Sequence, residues 1–162
     1  MSPRSTLAVI LALLFTACSP QASMPERPEE PVGTESPAYA LTIQQLNDLN
    51  GKASDLLRRG DSTQAAALVK DGQPLARELL RARKPTLAAM QAVSDHDHLY
   101  GTLLLGNRHY IWARQFFQTN VTRWKNWQPA TEDTVRRLGE AKAAVARCDQ
   151  LLKEEAEAQQ RR

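Results

Sequence analysis

The chain is predicted to be all-α. From Leu41 onward its apolar residues recur at helical spacing, capping residues stand at the head of each run, and no segment alternates with the period of two that a strand requires. Short polar corners separate the stripes. This predicts antiparallel helical hairpins, built either as repeats or as a plain bundle, and closed by a long C-terminal helix.

The first helix is expected to begin at Thr42, because Thr42 and Gln45 can satisfy each other's free backbone donors, with Leu41 and Leu46 at the staple positions. Leu46, Leu49, Ala53, Leu56 and Leu57 share one face, and Gly60 can take the left-handed conformation that ends a helix. Asp61 with Gln64 caps a second helix, whose stripe is Ala65, Leu68, Val69, Leu75, Ala76, Leu79 and Leu80. Residues 71–74 are expected to kink or break it, since Pro74 lacks an N–H and crowds the preceding turn. Pro85 suits the first turn of a third helix carrying Leu87, Met90, Val93, Tyr100, Leu103 and Leu104. Gly106 and Asn107 form its corner. Tyr110, Ala113, Phe117, Val121 and Trp124 are in phase along a fourth helix that ends before Pro129. Thr131, followed by Glu132 and Asp133, opens a fifth, in which Leu138, Ala141, Val145, Cys148 and Leu152 form a narrow seam for another helix.

Two of these hairpins resemble tetratricopeptide repeats. In the first, Leu49, Ala53, Leu56, Gly60-Asp61 and Ala65 match the family's succession of large and small contact residues around a Gly-Asp corner. In the second, Gly101, Leu104, Ala113 and Phe117 fit the pattern, while the Gly-Asp corner is missing. The resemblance spans roughly residues 41–127.

The N-terminal region has a different character. Arg4, the apolar run from Leu7 to Phe15 and the small residues Thr16 and Ala17 before Cys18 read as a cleavable secretory signal over residues 1–17. The run is shorter than the about 20 apolar residues a membrane span needs. Phe15-Thr16-Ala17-Cys18 resembles the lipobox of bacterial lipoproteins, with Phe15 standing where Leu, Val or Ile is usual. That resemblance implies acylation of Cys18 and attachment to a membrane through two or more acyl chains. Ser19 after the cysteine implies the outer membrane, with the protein facing the periplasm. Residues 18–38 are then a lipidated N-terminus and a disordered linker, in which Pro20, Pro25, Pro28, Pro31 and Pro37 mix with Glu26, Glu29, Glu30 and Glu35. At about 3.1 Å per residue it could hold the helical domain, residues 39–162, roughly 60 Å from the bilayer.

With Cys18 acylated, Cys148 has no intramolecular partner and reads as a small buried hydrophobe, so no disulfide framework is expected. Asp95-His96-Asp97-His98 is the densest set of metal-ligand residues, with His109 the remaining histidine. Neighbours on a helix point in different directions, which argues against a closed metal site; Asp97 or His98 could instead pair with Arg114. No phosphate loop, nucleophile elbow or His-Glu-x-x-His motif is present. The carboxylates Glu132, Asp133 and Glu140 fit helix-end and surface roles. The chain is therefore expected to be non-enzymatic, with no cofactor.

Residues 110–127 hold Tyr110, Trp112, Phe116, Phe117, Trp124 and Trp127, more rings than one helix face can bury. Trp112, Arg123, Trp124 and Trp127 are the expected partner contacts, with Trp124 in phase with the core and Trp127 better placed to be half exposed. The formal charge is +3 overall, and because the linker is acidic the domain is more basic still, with Arg77, Arg81, Arg83 and Lys84 clustered. Export argues against nucleic acid and leaves acidic proteins or lipid surfaces as partners. Lipoproteins with tetratricopeptide-like domains commonly serve as envelope adaptors or assembly factors, and the resemblance implies that role for a monomeric domain. An immunity-type lipoprotein that occludes a toxin is a second expectation, and a metal-binding helical protein using Asp95, His96 and His98 is a third.

Overall fold

A computed structural model describes residues 33–161. They form five helices and no strand: α1 Pro37–Arg58, α2 Ser62–Leu80, α3 Leu87–Gly106, α4 Tyr110–Asn126 and α5 Glu132–Gln160. The fold class is all-α, as the spacing predicts. The signal segment, Cys18 and the linker up to residue 32 lie outside the described residues.

α1 starts earlier than Thr42. Ser36 accepts a hydrogen bond from the Tyr39 N–H at 3.1 Å, and Pro37 opens the helix with its fixed φ. Thr42 is consequently mid-helix and buried, its hydroxyl donating to the Ala38 carbonyl at 3.0 Å, while Leu41 is 53% exposed rather than a staple. What fixes the start is tertiary. Tyr39 is buried and donates its hydroxyl to the Leu79 carbonyl at 3.3 Å, tying the beginning of α1 to the end of α2.

The first corner follows its sequence. Gly60 has φ +84°, the Asp61 N–H donates to the Leu56 carbonyl at 2.9 Å and the Gly60 N–H to the Leu57 carbonyl at 3.0 Å, a Schellman arrangement. Asp61 then caps α2 by accepting from the Gln64 N–H at 3.0 Å. α2 does not break at residues 71–74; it runs through Pro74, which faces solvent, so water can reach the Lys70 carbonyl that the proline leaves without its usual donor. Pro85 precedes the α3 cap instead of lying in its first turn: Thr86 accepts from the Ala89 N–H at 3.2 Å.

The second corner is two residues later than Gly106-Asn107. Arg108 takes φ +62°, its N–H donates to the Leu105 carbonyl at 3.0 Å, and the His109 N–H donates to the Leu104 carbonyl at 2.9 Å. Both hairpins thus turn by the same hydrogen bonds, the second without a glycine. A side chain in the left-handed region costs on the order of 1 kcal/mol. Arg108→Gly is therefore expected to raise unfolding stability by about 0.5–1 kcal/mol in urea titration. The exposed Arg108–Glu155 ion pair it removes, 3.6 Å long, contributes little.

Consecutive helices pack on one another, and α1 also reaches α3, so α3 serves both hairpins. Tyr39, Leu46, Leu79, Ala92 and Val93 close one end of the α1–α2–α3 core, and Ala53, Ala65, Val69, Leu99 and Leu103 the other. A third cluster, Ala113, Phe117 and Cys148, joins α4 to the seam of α5. Small residues mark the closest approaches. A Cβ on Gly101 would stand 2.7 Å from the Phe117 ring, so α3 and α4 meet at a point that only glycine allows. Cys148 is buried and unpaired, and burial raises its thiol pKa, with Asp149 adding to the effect.

Candidate functional site

The residues expected to meet a partner separate into two groups. Trp124 is core: it is 4% exposed, and its indole N–H donates to the Ser94 hydroxyl at 2.8 Å. Arg123 lies beside it with its side chain 5% exposed, donating to Asp97 at 2.8 Å and to the Asn120 side chain. Neither offers a contact surface. Arg123 looked like an interface residue because its partner lies 26 positions earlier in the chain. Trp127 is half-buried and meets Trp124 edge-on at 6.3 Å, whereas Trp112 is 65% exposed beside Ile111 at 68%.

The Asp-His-Asp-His run is a structural hub. Asp95 and His98, one turn apart, share one face of α3, while His96 and Asp97 leave it toward the α2–α4 side. Asp95 accepts from Arg137 of α5, which also donates to Asp133 at 2.8 Å and lies 5.6 Å from the Trp124 ring centre. Asp97 accepts from Arg123 of α4; Arg114, the sequence-based alternative, instead reaches Asp149 at 2.6 Å. His98 meets the Phe117 ring at 5.3 Å. His96 turns inward toward Gly72 and is 3% exposed. No three metal-ligating side chains converge among the described residues. Glu140 pairs with Arg136, and Asp133 is held down to about 2, first by the Gln91 amide and then by Arg136 and Arg137.

Burial lowers the His96 pKa, against the pull of the neighbouring Asp97 carboxylate. The unfolded chain therefore takes up this proton more readily, beginning near the ordinary histidine value of about 6.5. Stability from this group is complete above that pH and falls as the solution is acidified toward the folded value. Desolvation lowers His98 as well, with the same sign. Asp97, raised mainly by burial and held back by Arg123, acts in the opposite sense above the ordinary carboxylate range. Denaturant titrations between pH 7.5 and about 5.5 should show a falling midpoint for the parent and a weaker fall for His96→Leu.

A groove runs over α3, walled by α2 and α4. Two adjoining hollows of about 290 and 430 Å³ share Gln73 and Tyr100. Val69, Ala76, Leu80, Val93, Leu103 and Leu104 supply an apolar lining, and Lys70 and Arg77 stand on the α2 wall. Tyr100 stacks on Phe116 of α4, ring centres 4.5 Å apart, where the hollows meet. Trp112 precedes Phe116 by one turn of α4 and is 65% exposed, outside the lining of the two hollows. On another face of α3, Asn47, Asn50, Gly51, Ser54, Asp95 and His98 line a hollow of about 360 Å³. Its polar groups are partly committed inside the fold: Asn50 donates to the Ala92 carbonyl at 2.9 Å and Asp95 holds Arg137.

The groove was not legible as a site in the sequence, although Trp112 and Arg77 were singled out singly. Its walls come from helices separated by a whole element. Compared with protein-family models, curated proteins and solved structures, the chain matches none.

Proposed function

We propose that this chain is a membrane-tethered helical docking protein of the bacterial envelope, an adaptor or assembly factor that holds a segment of another envelope protein in the α2–α4 groove. The observation that carries this reading is the open apolar groove bordered by Tyr100 and Phe116, with the exposed Trp112 one turn before Phe116 on α4. Trp and Tyr give large, rigid contact area at low entropic cost, which is why such rings anchor interfaces. Binding rather than catalysis is favoured because Asp95, Asp97 and Asp133 are engaged by arginines and Glu140 by Arg136. None of these acids is left poised as a general base.

The tether rests on the lipobox-like residues ending at Cys18, with cleavage before that cysteine and an outer-membrane address facing the periplasm. Among the described residues no helix is long and apolar enough to cross a membrane. Cys18→Ser is expected to abolish labelling by a fatty-acid analogue and move the protein out of the detergent phase. Equal labelling of variant and parent would refute the anchor.

A further inference from the structure

We propose that the groove is occupied in the resting protein by the chain's own segment Pro25-Glu26-Arg27-Pro28-Glu29-Glu30-Pro31, which a partner displaces. This rests on reading the groove as the docking site. Three observations converge on that occupant. The first is spacing: Pro25, Pro28 and Pro31 recur every three residues, the period of a polyproline helix, so all three fall on one edge and Glu26 with Glu29 on the next. Polyproline edges dock on aromatic-lined grooves, and Tyr100 stacked on Phe116 provides such a floor.

The second is charge and length. Lys70 and Arg77 make no ion pair among the described residues, and the lone acid in the lining, Asp97, is already held by Arg123. The two cations are about 10 Å apart along α2, and Glu26 and Glu29 about 9 Å apart along a polyproline helix. From Pro25 to Pro31 is about 19 Å in that conformation, and the α2 wall from Ala66 to Leu80 is about 21 Å. The third is the path. The described chain begins at Gly33 and enters α1 beside the end of α2, where Tyr39 holds the Leu79 carbonyl and Leu80 lines the groove. A short connection gives the segment a local concentration on the order of millimolar, so a weak contact suffices to fill the site.

The consequence is that one stretch of chain is both spacer and plug. A partner then binds by exchange, with the freed segment lengthening the tether.

The test uses the full chain and zero-length carbodiimide coupling. Lys70 should couple to Glu26, Glu29 or Glu30 within one molecule, with a yield that does not change on dilution. Arg77→Glu should lower that yield about tenfold, and Arg77→Glu combined with Glu29→Arg should restore it. Coupling that is equally strong to the remote Lys52 and Lys142, or that joins two chains and fades on dilution, overturns the proposal. A photo-crosslinking residue at position 73 reads the docking role separately in intact cells. Replacing Glu26, Glu29 and Glu30 by Gln should raise the yield of partner adducts several-fold. Unchanged adducts without Lys70 coupling would remove the plug and leave the docking site, whereas Lys70 coupling without adducts from either chain would keep the plug and remove the partner.

Discussion

Asp97→Ala should cost about 3–5 kcal/mol of folding stability, because it strands a guanidinium in the interior. The Arg123 side chain is 5% exposed and donates to Asp97 at 2.8 Å, so removing the carboxylate leaves a buried cation without its counter-charge. The pair itself is not a large source of stability. Burial pushes the Asp97 pKa up, and Arg123 pulls it back only in part, which is the sign of a desolvation penalty incompletely offset. Replacing both partners, Asp97→Leu with Arg123→Met, should therefore recover most of what the single change loses. Urea unfolding of the three variants gives the coupling directly; a double variant as unstable as Asp97→Ala would contradict this assignment.

Trp124→Ala is expected to lose a similar amount, about 3–5 kcal/mol, by emptying the junction of α3, α4 and α5. The same change deprives the buried Ser94 hydroxyl of its indole donor and Arg137 of the ring it lies beside. Trp112→Ala makes the contrast. Its ring is 65% exposed, so its melting temperature should match the parent, while partner capture weakens by about 2 kcal/mol, roughly thirtyfold. Loss of stability in Trp112→Ala would remove it from the binding surface.

The helices were legible because their signals are local. The stripe from Leu46 to Leu57 and the Gly60-Asp61 corner are read within one turn of where they act, and the structure places both as the spacing predicts. The start of α1 was not, because Thr42-Gln45 and Ser36-Pro37 are both adequate caps, and the burial of Tyr39 against Leu79, 40 residues away, decides between them. The corner at Arg108 was missed for a related reason. Leu104 and Leu105 pack against the α4–α5 cluster, and the left-handed residue that follows them, Arg108, is not a glycine that would mark the corner in the sequence.

The site was less legible than the fold. Phase along α4 correctly assigns Trp124 to the core, since Ala113, Phe117 and Trp124 lie on one face. Arg123 could not be placed that way, because its burial depends on Asp97 of another helix. The groove depends on α2 and α4 flanking α3, a juxtaposition that no periodicity within a single helix encodes.

The measurement closest to the central claim is photo-crosslinking in intact cells from two positions, followed by mass spectrometry. Gln73 lines both hollows of the groove, whereas Val135, 60% exposed on α5, lies outside their lining. A crosslinker at position 73 should give one discrete envelope-protein adduct that Trp112→Ala diminishes, and the same group at position 135 should give none. The same adducts from both positions, or none from position 73 even after Glu26, Glu29 and Glu30 are replaced by Gln, would contradict docking in the groove.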